Sequence, residues 1–137
     1  MTVASGAPAR VTLAAILLAG CAPGPVSSST ADPTAGLAAA LAGFVPVASS
    51  SCAANGLTRL PPTAFGRTLL YRDTRGTILR NDTDGGCERA GHRDIAVVDQ
   101  LRDRPCQGDV LRTFDPVSRR PTGSCTLGTF VRYARAR

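Results

Sequence analysis

His92 is the only histidine in the 137-residue chain, and two aspartates follow it closely. A serine hydrolase would use this imidazole as its general base, with Asp94 or Asp99 to orient it. Its nucleophile would be a serine such as Ser118 or Ser124, but neither lies in the Gly-x-Ser-x-Gly pattern of a nucleophile elbow. A histidine exposed in a loop is the simpler interpretation, so we assign no catalytic residue.

The segment 81–86, Asn-Asp-Thr-Asp-Gly-Gly, resembles the start of a calcium-binding loop, because alternate oxygen donors followed by glycine can surround a hard cation. It lacks the later acidic residue and the closing glutamate of the full pattern. The same residue types are common in turns. Glu88 is the only glutamate, and no spacing singles out a pair of aspartates. The sequence therefore assigns no metal and no cofactor.

Positive charge is the strongest bias in the composition, with 16 basic residues against 10 acidic ones and a net charge of +6. A balance of this kind favours contact with anionic lipid, with an acidic partner or with an anionic envelope polymer. A solvated surface and a frayed tail are the alternative. Nucleic acid is not expected as a partner, because no recognised motif or aromatic platform is present. The candidate contact residues for an anionic partner are Arg119, Arg120, Arg132, Arg135 and Arg137.

An apolar run, Val11–Ala19, follows Arg10 and ends in the sequence Leu18-Ala19-Gly20-Cys21. Nine residues are too few for a membrane-spanning helix, which needs about 20. Leucine three positions before cysteine, with Ala and Gly between, resembles the lipobox of bacterial lipoproteins. That resemblance implies cleavage before Cys21 and attachment of a diacylglyceryl group to its sulfur, with acyl chains such as palmitate. An ordinary signal peptide that ends in cysteine is the alternative.

The lipobox divides the chain into a signal peptide at 1–20, a lipidated cysteine with a flexible tether at 21–35, and a small domain at 36–137. It implies a protein of the cell envelope that is held at the membrane by the lipid on Cys21. In a cell with two membranes, Ala22 in place of aspartate favours the periplasmic face of the outer membrane. In a cell with one membrane, the protein would lie on its outer face.

The tether is rich in Pro, Ser, Gly and Thr, and the first predicted element follows it. Asp32 suits a helix N-cap and Pro33 the first helical position, which predicts a short helix over 34–42. The alternative is that this segment belongs to the tether. Residues 47–66 are expected to be irregular. Five strands are predicted after them, at 68–72, 77–80, 95–101, 110–114 and 125–133.

Five strands without intervening helices favour a mainly β fold, either an antiparallel meander or a small barrel. Four cysteines in an exported domain indicate two disulfides, because no Cys-x-x-Cys pair supports a zinc site with His92. In a meander, about eight strand residues, or about 27 Å, would separate Cys106 from Cys125, whereas a disulfide permits about 7 Å between Cα atoms. We therefore predict Cys87–Cys125 and, by elimination, Cys52–Cys106.

Together these features favour a membrane-anchored envelope lipoprotein with a non-enzymatic structural or protein-interaction role. A binding module for a small ligand or an anionic envelope polymer is the second hypothesis, and it requires a cleft. A hydrolase that uses His92 is the third. No family is recognised for residues 36–137.

We expect the protein extracted from membranes to begin at a lipidated Cys21, and the Cys21→Ser variant to lose both the lipid and retention in the membrane fraction. Two or three acyl chains make anchoring lasting, whereas one binds only marginally. Mass spectrometry of the extracted protein measures the modification. An unmodified Cys21 behind an intact leader would contradict the lipobox interpretation.

Overall fold

The structure is a computed structural model that describes residues 32–54, 56, 58, 60–99 and 102–137. The lipobox at 18–21 and most of the tether lie outside the described residues. The elements are α1 (Pro33–Leu41), β1 (Phe44–Ser50), β2 (Thr63–Phe65), β3 (Thr68–Arg72), β4 (Ile78–Asp82), β5 (Ile95–Asp99), β6 (Val110–Phe114), β7 (Pro121–Thr126) and β8 (Phe130–Arg135).

The strands form two antiparallel sheets. The first sheet has the order β1-β8-β4-β3-β2, and the second has the order β5-β6-β7. The mainly β class, the short helix and the two disulfides predicted from the sequence are confirmed. Eight strands are described where the sequence predicted about five, because β1 and β2 form in the stretch expected to be irregular and one predicted strand is divided.

That division lies at Gly128, in the middle of the predicted strand 125–133, where the chain leaves the second sheet and enters the first. The side-chain amide of Asn81 donates to the Gly128 carbonyl over 2.8 Å and accepts from the Gly128 N–H over 2.9 Å. A Cβ atom on Gly128 would lie 2.1 Å from the carbonyl oxygen of Asp82. The crossing therefore requires a residue without a side chain.

Asp32 caps α1 as predicted, since its carboxylate accepts from the N–H of Thr34 over 2.9 Å and proline occupies the first helical turn. The helix begins at Pro33, the residue predicted for the first helical position, and ends at Leu41. Nine residues do not sustain an isolated helix in water, so α1 depends on its contacts with the domain.

Contacts with β3 place α1 on the outer face of the first sheet. The guanidinium of Arg72 donates to the Ala40 carbonyl over 2.9 Å. Arg72 is the cross-strand partner of Ile78, so the two side chains share one face of the sheet. Ile78 and Leu70 are buried on this face. The helix also packs beside β2, where a Cβ on Gly36 would lie 3.1 Å from the Phe65 ring.

The main core lies between the two sheets, where alternate residues of the strands meet. Cys125 of β7 is bonded to Cys87, and Cys52 is bonded to Cys106, so both predicted pairs are present. The first bond joins the second sheet to the loop after β4, and the second joins the segment after β1 to the segment before β6. The other core residues include Leu69, Tyr71, Leu79, Leu111, Leu127 and Phe130.

Replacement of Gly128 by alanine tests the crossing. We expect Gly128→Ala to lower the free energy of unfolding by about 4 kcal/mol, because the new methyl group displaces the Asp82 backbone and breaks the Asn81 hydrogen bonds. Gly76→Ala is the control, since its φ of +81° lies in an open turn. It should cost about 1 kcal/mol. Urea denaturation measures both, and equal losses would contradict the assigned role of Gly128.

Candidate functional site

The structure does not bring the candidate hydrolase residues together. Nε2 of His92 lies 2.5 Å from the Ala64 carbonyl oxygen, so this nitrogen carries the proton and donates it. Nε2 is therefore committed to the backbone and cannot take a proton from a nucleophile. The Ser118 hydroxyl donates to Asp115 over 3.0 Å, and Asp99 pairs with Arg112. His92 itself is exposed and sits at the edge of β2.

Asp94 is buried just before β5, and the groups that bind its carboxylate do not include His92. Arg89 binds both carboxylate oxygens, at 2.9 Å through Nε and 3.0 Å through a terminal nitrogen. The Thr122 hydroxyl donates to the same carboxylate and lies 2.9 Å from the hydroxyl of Thr113. The Thr122 hydrogen bond, followed by the Arg89 contact, lowers the pKa of Asp94. This cluster ties the loop before β5 to β7.

The candidate calcium loop also uses its oxygens within the protein. Asn81 binds the Gly128 backbone, and the carboxylate of Asp82 pairs with Arg80 at 3.0 Å. Asp84 accepts from the N–H of Thr126 over 2.7 Å, and this hydrogen bond is the main reason its pKa is lowered. In the part of the chain that the structure describes, no three histidine, cysteine or acidic residues are grouped to hold a metal ion.

The five arginines proposed to contact an anionic partner are exposed, and they lie on two different elements. Arg119 and Arg120 lie in the turn between β6 and β7. Arg132 and Arg135 lie on β8, where the guanidinium carbon of Arg135 stacks 5.1 Å from the ring centre of Phe44. Arg137 follows at the C-terminal end. The arginines therefore divide between the two sheets.

A groove of about 630 Å³ lies beside the second sheet, and it is the feature that sequence reasoning missed. One wall is the edge of β5 at Ala96–Val98. The facing walls come from the segments 58–62 and 103–105, and the floor contains Tyr71 and Leu111. This volume is within the range of about 300–1,000 Å³ that is typical of ligand pockets.

The Cys52–Cys106 disulfide lies next to one wall of the groove. Beside it, the N–H of Ala53 donates to the Pro105 carbonyl over 2.8 Å, and Ala53 is fully buried. The N–H of Gln107 donates to the Ser51 carbonyl on the other side of the bond. These contacts hold residues 51–53 against residues 105–107, next to the wall at 103–105.

Tyr71 gives the floor of the groove an unusual polar group. Its side chain is 2% exposed, and its hydroxyl has no hydrogen-bond partner among the described residues. Burial raises the pKa of this phenol, so the hydroxyl remains protonated across the physiological range. A buried hydroxyl without a partner is destabilising, and such groups in native proteins are rare.

The lining of the groove is mixed, with more polar than apolar surface. Leu60 and Val97 belong to the lining and are 46% and 47% exposed, while Ile95, outside the lining but on the same face of β5 as Val97, is 47% exposed. Asp103 and Arg104 supply the charged part of the rim. Apolar side chains exposed beside a concave site indicate a binding surface.

No protein-family model matches the chain, and no curated protein or solved structure is significantly similar to it. Among the described residues, no helix is both long enough and apolar enough to cross a bilayer. The function is therefore argued from the residues of this chain alone.

The Asp94 cluster generates a pH prediction. Because its pKa is lowered on folding, Asp94 stabilises the protein above the unfolded pKa of about 4, and this contribution is lost as the pH falls through the folded pKa. We expect Thr122→Val to lower the Tm at pH 7, and the difference from wild type to narrow below about pH 4.

Thr129→Val is the matched control, because Thr129 is exposed and its hydroxyl approaches Gln107 and no carboxylate. Thermal unfolding between pH 7 and pH 2.5 gives the Tm of wild type and of the two variants at each pH. A Thr122→Val difference that stays constant across this range would contradict the assigned coupling.

Proposed function

We propose that this chain is a lipid-anchored, non-enzymatic interaction protein of the bacterial cell envelope, and that it holds another envelope component in the groove beside β5. The groove, with the exposed apolar side chains of Leu60 and Val97 among its lining residues, is the observation that carries this proposal. Leu60, Ile95 and Val97 remain in water in the free domain, so covering them with a partner is favourable.

The position of the anchor restricts the partner to the neighbourhood of the membrane. Ten residues separate Cys21 from Asp32. Fully extended, they would span about 35 Å. A lipidated Cys21 would thus keep the groove close to the membrane surface, where an envelope component is the available partner.

A binding module for a small amphipathic ligand is the second candidate, and Tyr71 is the observation that favours it. The Tyr71 hydroxyl is closed to solvent in the free domain, so a ligand with a hydroxyl or carbonyl group would satisfy it after the side chains above it move aside. The anionic polymer of the sequence analysis gains less support, because the five arginines lie on two elements and none lines the groove.

Site-specific photocrosslinking in the native host tests the proposed function. With benzoylphenylalanine at position 97, we expect one discrete adduct on the full-length, lipidated chain. The same substitution at Val117, which is 90% exposed in the turn between β6 and β7, is the matched control and should give none. The mass of the adduct distinguishes a protein partner from a small ligand.

The same weak, heterogeneous adducts at both positions, or no adduct at position 97, would contradict the proposed function. Retention of both variants in the membrane fraction establishes that the chains were exported and anchored.

A further inference from the structure

We propose that the groove binds an extended peptide segment of an exported protein, which pairs with β5 as an additional strand. This inference rests on the proposed function and specifies the chemistry of its partner. It follows from the edges of the two sheets, from the direction of the groove and from the groups that it presents.

β5 is the end strand of the second sheet and pairs only with β6. None of the described residues makes a hydrogen bond to the edge of β5 that lies opposite β6. An end strand leaves alternate N–H and C=O groups free along its outer edge, and these groups can pair with another chain. β5 contains no proline and no basic residue, and Ile95 and Val97 are exposed on it.

Each of the other three sheet edges has a feature that limits pairing with another strand, although Val45 and Val47 of β1 are also exposed. β1 contains Pro46 and a shift in register beside it, and β2 is only three residues long, with the Ala64 N–H already bonded to the Ala90 carbonyl. On β7, the N–H of Thr126 donates to Asp84. Residues 84–86 lie so close to this strand that a Cβ on Gly123 would meet the Gly86 carbonyl. β5 differs from all three edges.

The groove follows the edge of β5 and does not lie over one face of the sheet. Three consecutive residues, Ala96–Val98, line it. Successive residues of a strand point to opposite faces, so a cavity in contact with three in a row must lie along the strand's edge. The outer edge of β5, to which the described residues make no hydrogen bond, therefore faces the groove.

An extended peptide is the partner that matches this edge. Its backbone presents N–H and C=O groups at the same spacing, and the five residues of β5 offer about 17 Å of edge. Apolar side chains on one face of the added strand would lie beside the exposed Ile95 and Val97, and those on the other face would enter the groove. The preferred segment is thus β-branched or aromatic, and free of proline.

Two other occupants fit less well. A second folded copy would bring its own walls at 58–62 and 103–105 against those of the first copy, whereas a single extended segment passes between them. Residues 22–31 of the same chain contain Pro23 and Pro25, which cannot donate to a sheet ladder, and Val26 is their only large apolar residue.

A displayed library of random twelve-residue peptides tests the proposal on the oxidised protein with residues 1–20 removed and Cys21 replaced by serine. We expect wild type to enrich peptides with alternating apolar residues. Ile95→Lys/Val97→Lys should enrich none of them, because charges on an edge strand oppose pairing. Val117→Lys is the matched control and should behave as wild type.

N-methylation of the enriched peptides, one amide at a time, then tests backbone pairing. Methylation of every second amide should weaken binding at least tenfold, whereas methylation of the amides between should have little effect. Strand addition would be overturned if wild type enriched no peptides beyond those that the double variant enriches. It would also be overturned if N-methylation weakened peptide binding without alternating along the peptide. If the peptide experiment failed in either way but the photocrosslinking at position 97 gave a discrete adduct, the proposed function would stand and its partner would be of a different chemistry.

Discussion

The passage of the chain between the two sheets at Gly128 is the constraint on which the other features depend. Asn81 holds the Gly128 backbone from both sides, and Cys125 just before it is bonded to Cys87. This arrangement fixes the second sheet against the first and closes the core around Tyr71. A small domain with few aromatic residues has a limited core, so the disulfides and the Asn81 hydrogen bonds supply much of the specificity of its packing.

The same arrangement leaves one edge of the second sheet open. Residues 84–86 cover β7, and the bond from Cys125 to Cys87 keeps them there. The opposite edge, β5, instead borders a groove, and the Cys52–Cys106 disulfide lies next to the groove's wall at 103–105. One disulfide thus protects an edge of this sheet, and the other lies beside the groove along an edge that remains available.

The sequence predicted the features that are encoded locally. Asp32 and Pro33 indicated the start of the helix, the strands predicted at 68–72 and 77–80 correspond to β3 and β4, and the cysteine count indicated two disulfides. The strand predicted at 125–133 was divided because the requirement for glycine at 128 comes from the Asp82 backbone, which is distant in sequence. The alternation of apolar and polar residues along the strand does not reveal a contact with a segment that is distant in the sequence.

The groove was not predictable for the same reason. Its walls and floor come from five segments that are separated in the sequence. They form a groove because β5 lies at the end of the second sheet. The exposed alternation of Ile95 and Val97 was visible in the sequence, but it indicated a strand without showing which edge of the sheet it would occupy. The candidates that the sequence did suggest, at His92 and at 81–86, are committed to contacts that stabilise the fold.

Hydrogen exchange of β5 in native membranes compared with the purified protein tests the central claim most directly, namely that an envelope component occupies the edge of β5. The account predicts that peptides covering Ile95–Asp99 exchange at least tenfold more slowly in native membranes. Peptides covering Val110–Phe114, a strand paired on both sides, should exchange equally in the two samples. Equal exchange of β5 in membranes and in purified protein would contradict the account.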